Sequence, residues 1–115
     1  MNDLDIPIFK KTYDLYKEFS LLRTTVPKKD RYTIWQSCEE YILEMMECIL
    51  TASQLQKATK LPVLEKASLK LNMTRVFVRL MKDTKAIDSK HYLAFQANLD
   101  EIGRMLGGWI RSTKN

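Results

Sequence analysis

The sequence predicts an all-α fold, an antiparallel up-and-down four-helix bundle in one domain spanning residues 1–115. Three observations predict it. Apolar residues recur every three or four positions through four separate segments, the period of one face of a helix. The chain holds only three glycines and three prolines in 115 residues, too little turn material for many short strands. The breaks between the segments are a few residues long, which leaves successive helices antiparallel.

The first helix begins near Pro7, a residue suited to a first turn, with Asp5 as its cap. Phe9, Tyr13, Tyr16 and Phe19 form its stripe, widened by Ile8, Leu15 and Leu22, and "TTVPKKD" ends it. The second runs from Thr33 to Gln56, with Thr33 and Gln36 at capping-box spacing. Its stripe is Trp35, Cys38, Ile42, Met45, Ile49, Ala52 and Leu55, and Glu39, Glu40, Glu44 and Glu47 are its only charged residues.

The third helix is expected over Pro62 to Thr84, with Pro62 in its first turn. Leu69, Met73, Val76, Phe77, Leu80 and Met81 form its larger apolar face. A second apolar group, Leu64, Leu71 and Val78, lies on another side and needs a cover, which a neighbouring subunit could supply. The turn "KAID" supplies Asp88 as cap to the fourth helix, whose stripe is Tyr92, Phe95, Leu99, Ile102, Leu106 and Trp109.

Chemistry-bearing residues are sparse. His91 is the only histidine, and no Gly-rich phosphate loop, Gly-x-Ser-x-Gly or Cys-x-x-Cys occurs. Glu40, Glu44 and Glu47 share a face but lack the Glu-x-x-His partners of a di-metal bundle. Cys38 and Cys48 lie on one helix, about 15 Å apart along its axis, so they read as buried thiols and not as a disulfide or a zinc site. The expectation is a binding protein with no catalytic residue, metal or cofactor. No apolar run reaches the roughly 18 residues of a membrane span, and "MNDLDIPIFKK" is unlike a signal peptide; a cytoplasmic location is expected.

Charge is better organised. The formal net charge is +5, which suits an anionic partner. Between Lys57 and Lys90 stand nine basic residues and three acids. Arg75, Arg79 and Lys82 form a row that can track phosphates. Lys66, Lys70 and Lys85 are further candidate contacts, and "VPKKDR" adds Lys28, Lys29 and Arg31. Acid on the second helix and base on the third would also let copies pack side by side.

All three glycines fall within "GRMLGG" near the end of the fourth helix. Gly103 and Gly107 stack on one side, where missing side chains admit another backbone. Alternatively Gly107 or Gly108 ends the helix in a left-handed cap with Trp109 folding back. That explains one glycine but not Gly103, for which close packing is expected. Gly103, Gly107, Trp109, Leu71 and Val78 are the candidate assembly and packing residues.

The C-terminal "DEIGRMLGGWIRS" resembles the ending of Avd-type accessory proteins of diversity-generating retroelements. "IFKKTYDLY" resembles that family's first helix and "PKKDRYTIWQ" the start of its second; Trp35 and Ser37 depart from the small and more basic residues expected there. The resemblance implies a homopentameric barrel of four-helix bundles with a basic surface. It also implies a non-catalytic partner of a reverse transcriptase that binds its RNA or cDNA during mutagenic copying. Arg31 and Arg104 lie inside the matched stretches and join the candidate nucleic-acid contacts. The rival in the same superfamily is the ribosomal RNA intervening-sequence protein, a structural oligomer, whose Asn-Ile-Ala-Glu-Gly-like run "CILTASQL" matches poorly.

Overall fold

The computed structural model describes residues 5–114. Its helices are α1 (Pro7–Leu21), the single turn α2 (Lys28–Arg31), α3 (Ile34–Ser53), α4 (Lys57–Asp83) and α5 (Ser89–Lys114). No strand occurs among the described residues. The four long helices alternate in direction and close a ring of neighbours: α3 packs between α1 and α4, and α5 between α4 and α1. The bundle measures 44 × 25 × 22 Å.

Pro7 opens α1 as expected, but the cap is Ile6, whose carbonyl accepts from the Lys10 N–H at 2.9 Å. Asp5 makes no capping bond. The buried residues of α1 are Ile8, Thr12, Leu15 and Phe19, so its core stripe turns slightly away from the tyrosines and leaves Tyr13 exposed. Thr12 enters it because its hydroxyl donates to the Phe9 carbonyl at 2.8 Å, which satisfies the polar group inside the helix.

Thr33 precedes α3, but the capping box does not form. The Thr33 hydroxyl donates back to the Lys29 carbonyl at 3.3 Å, toward α2 and away from α3. The α3 stripe from Trp35 to Ala52 is buried as predicted, joined by Cys48. Phe19 stacks on Trp35 with ring centroids 5.0 Å apart and meets Phe95 edge-on at 5.8 Å, closing one end of the core. Burial pushes the Cys38 thiol up to about 12 and raises that of Cys48; both thiols are free.

Two expectations for α4 are overturned. It starts at Lys57, so Pro62 lies inside it and not in its first turn. The turn after α3 is tighter than its composition indicates, and the Thr59 N–H already bonds the Gln56 carbonyl at 3.0 Å. Proline at this depth removes one intrahelical bond, to the carbonyl of Ala58. More important, the core face is the other one. Leu64, Ala67, Leu71, Thr74, Val78 and Met81 are buried, alternating three and four apart like the seam of a coiled coil. Leu69, Val76 and Leu80 are 56%, 58% and 38% exposed. Leu71 and Val78 are therefore covered by their own chain and need no neighbouring subunit.

Asp88 caps α5 as predicted, its carboxylate accepting from the His91 backbone N–H at 2.8 Å. The bond to that N–H, joined by one to the His91 ring, holds the Asp88 carboxyl below its ordinary value. Phe95, Leu99, Ile102 and Leu106 form the buried stripe. The helix then runs through all three glycines to Lys114, and no glycine has a positive φ. The left-handed cap is thus overturned. Trp109 and Ile110 pack on the core instead, with the Lys60 ammonium 5.3 Å from the Trp109 ring centroid.

Candidate nucleic-acid interface

The predicted row of Arg75, Arg79 and Lys82 lies along the α4–α5 seam, and each cation has a partner. Arg75 pairs with Asp100 and donates to the Leu99 carbonyl at 3.2 Å. In return, the Gln96 side chain donates to the Arg75 carbonyl at 3.4 Å. Arg79 pairs with Asp83 one turn on at 3.2 Å, which raises the guanidinium's already high value. Lys82 sits 4.7 Å from the centroid of the Tyr92 ring. The row thus joins two helices as well as presenting charge. Arg75 is the most committed of the three, whereas the Arg79 ion pair faces solvent on both sides and competes weakly against an incoming anion.

Lys70 is drawn to the opposite seam. It pairs with Glu44 of α3 at 2.6 Å, which raises its ordinary value, and lies over Tyr41. Lys66 is exposed on the same side of α4. Glu39 accepts from the Tyr16 hydroxyl at 2.9 Å, so two of the four α3 glutamates hold neighbouring helices. No group of residues fit to hold a metal ion occurs among the described residues. His91 makes a 2.7 Å contact with Asp88, part of the α5 cap.

The α1–α3 connection is also split between structure and surface. Arg31 turns inward, donating to the Val26 and Thr24 carbonyls at 3.0 Å each. Lys28 and Lys29 stay exposed on α2. Arg104 pairs with Glu101 on the surface of α5.

Sequence reasoning missed two features here. Arg23 lies over Tyr32, 5.4 Å from its centroid, and its guanidinium donates to the Tyr32 hydroxyl at 3.1 Å. A groove of about 670 Å³ also opens between the two connections, lined by Thr25 on one side and Lys82, Lys85, Ser89 and His91 on the other. Lys85 reaches it from a left-handed turn (φ 65°). Only folding brings these connections together, although their excess of cations is readable in the chain.

Gly103 has a clear role. A Cβ there would stand 2.8 Å from the Arg75 Nη2 and 3.3 Å from the Leu71 Cδ2. The glycine lets the Arg75 guanidinium cross the face of α5 to reach the Leu99 carbonyl. What comes close at Gly103 is a pair of side chains of the same protomer, and not the second backbone expected from the sequence. Gly107 and Gly108 face more open space, meeting only Arg111 at 3.5 and 3.8 Å.

No helix is long and apolar enough to cross a membrane among the described residues. No curated protein and no solved structure matches the chain significantly. The family model described as bAvd-like matches residues 7–113, from the first turn of α1 to the last of α5, including the "GRMLGG" segment whose first glycine admits Arg75. The chain belongs to the bAvd-like family of Avd-type accessory proteins.

Proposed function

We propose that the chain is a non-catalytic accessory subunit of a diversity-generating retroelement, binding its reverse transcriptase and its RNA or cDNA in the cytoplasm. The observation that carries this reading is the family match over residues 7–113. The net charge of +5 and the exposed cations Lys28, Lys29, Lys66, Arg79 and Lys85 support the nucleic-acid half of it. A tagged pull-down from the native host, with and without nuclease, tests it. Recovery of a reverse transcriptase that survives nuclease is the expected result; its absence in both arms would sink the reading.

The accessory subunit acts as a homopentamer in this reading, and α4 supplies a face for assembly. Leu69, Met73, Val76 and Leu80 run along α4 opposite its buried seam, with Lys66 and Arg79 flanking them. Exposed apolar area of this kind is what a partner covers. On α3, exposed Leu43 stands between exposed Glu40 and Glu47, apolar in the middle and acidic at the sides. Joining these unlike faces is a head-to-tail contact, the type that repeats into a closed ring. Leu69→Asp with Val76→Asp is expected to reduce the solution mass toward the single 13.5 kDa chain while leaving helicity in place. Unchanged mass by light scattering would remove this face from the interface.

A further inference from the structure

We infer that the end of the bundle where α1 meets α3 and α4 meets α5 is a binding surface for unpaired nucleic acid. This rests on the nucleic-acid reading above and assigns it a place and a strand form. The up-and-down topology brings the two connections to one end, and Leu22 and Thr25 of the first share a groove with Lys82, Lys85 and His91 of the second. The first connection carries Arg23, Lys28, Lys29 and Arg31 against Asp30. The second carries Arg79, Lys82, Lys85 and Lys90 against Asp83 and Asp88. Between the ends the balance reverses, because α3 holds four glutamates and no cation. A strand drawn to the molecule electrostatically is therefore favoured at an end and repelled along α3.

The aromatic residues select the strand form. Tyr32 is 66% exposed beside Arg23, and Lys82, which lines the groove, lies over the half-buried Tyr92. A cation beside an accessible ring, as Arg23 stands beside Tyr32, gives an unpaired base a stacking surface and its phosphate a counter-charge; a duplex keeps its bases stacked within itself. The groove is lined by apolar Leu22, Ala86 and Ile87, by Thr25 and Ser89, and by Asp88, whose carboxylate is engaged by the His91 backbone N–H and ring. That lining suits a base edge or sugar next to a phosphate held by Lys85.

The test is fluorescence anisotropy of the full chain with labelled single-stranded RNA, single-stranded DNA and the matching duplex, at low and near-physiological salt. Three proteins are compared with the parent: Lys28→Glu/Lys29→Glu/Lys85→Glu, Tyr32→Ala, and a control, Lys11→Glu/Arg111→Glu/Lys114→Glu, which makes the same charge change at the opposite end. The first triple is expected to weaken single-strand binding by about tenfold or more and to flatten its salt dependence, with helicity and solution mass unchanged. The control is expected to move it far less. Tyr32→Ala is expected to cost about tenfold for single strands and little for the duplex. Equal losses in the two triples would overturn the location while leaving the nucleic-acid reading intact. Equal affinity for duplex, with Tyr32→Ala inert, would overturn the strand form. A parent that binds no nucleic acid even at low salt would overturn the nucleic-acid half of the proposed function and this inference with it.

Discussion

Leu71→Ala is expected to cost about 2–5 kcal/mol of folding stability, whereas Leu69→Ala, two residues away on the same helix, is expected to cost less than about 0.5 kcal/mol. Leu71 is 3% exposed in the isolated chain and Leu69 is 56% exposed. Truncating Leu71 removes buried surface and leaves a cavity between α4 and α5, at the point where Leu71 also backs Gly103. Truncating Leu69 removes surface that water already reaches. Urea unfolding followed by helicity separates the two, provided that it is run at two protein concentrations. If copies assemble through the outer face, Leu69→Ala acquires a concentration-dependent effect, because assembly stabilises folded chains by mass action. The Leu71→Ala loss arises within one chain and persists on dilution. Equal costs at both positions would contradict the assignment of faces.

The reversal of those faces shows what the sequence could and could not reveal. The four long helices, their order and the stripes of α3 and α5 were legible, since in both helices most of the large apolar residues are buried, Leu43 and Leu93 being exposed. On α4 the two properties separate. Its buried seam includes Ala67 and Thr74, residues that a search for large apolar side chains passes over, while its outer face displays Leu69, Met73, Val76 and Leu80. Ala67 is fully buried, and the Thr74 hydroxyl is satisfied by donating to the Lys70 carbonyl at 2.8 Å. Both rows keep the three-and-four alternation, so spacing does not separate them, and side-chain size favours the outer one. A helix apolar on two opposite sides has two partners to satisfy, and only the packing of the other helices shows which side the bundle takes.

The candidate site was legible as charge but not as geometry. Runs of Lys and Arg mark the connections and α4, yet the roles of individual cations depend on what stands across from them. Arg75 and Lys70 face acids on neighbouring helices, Asp100 and Glu44, at separations of 25 and 26 residues. Arg31 meets carbonyls of its own loop. None of these pairs follows from local spacing. The pairing of Arg79 with Asp83, at i and i+4, does. Cations in the connections were thus identifiable as basic from the chain, and the structure separates those that hold the bundle from those that remain exposed.

Gly103→Leu is expected to destabilise the bundle by about 1–3 kcal/mol through overpacking, read as a fall in melting temperature. The first carbon alone would stand 2.8 Å from the Arg75 Nη2, the nitrogen that donates to the Leu99 carbonyl, so the guanidinium must shift. The branched end must then find room beside Leu71, which is already 3.3 Å from that first carbon and buried. Gly103→Ala separates the two costs. Alanine gains about 1 kcal/mol of helix propensity over glycine, but it still displaces the end of a flexible arginine and presses on Leu71. Its net effect is expected to be near zero in the parent. In an Arg75→Ala background the clash with the guanidinium is gone, so Gly103→Ala is expected to become stabilising there. A parent-like melting temperature for Gly103→Leu would show that the glycine is not what admits Arg75. An equal response to Gly103→Ala in both backgrounds would show that the guanidinium does not feel position 103. With the expected signs, a glycine that weakens α5 locally is retained because it seats a cation across the helix seam, and the gain lies in joining α4 to α5.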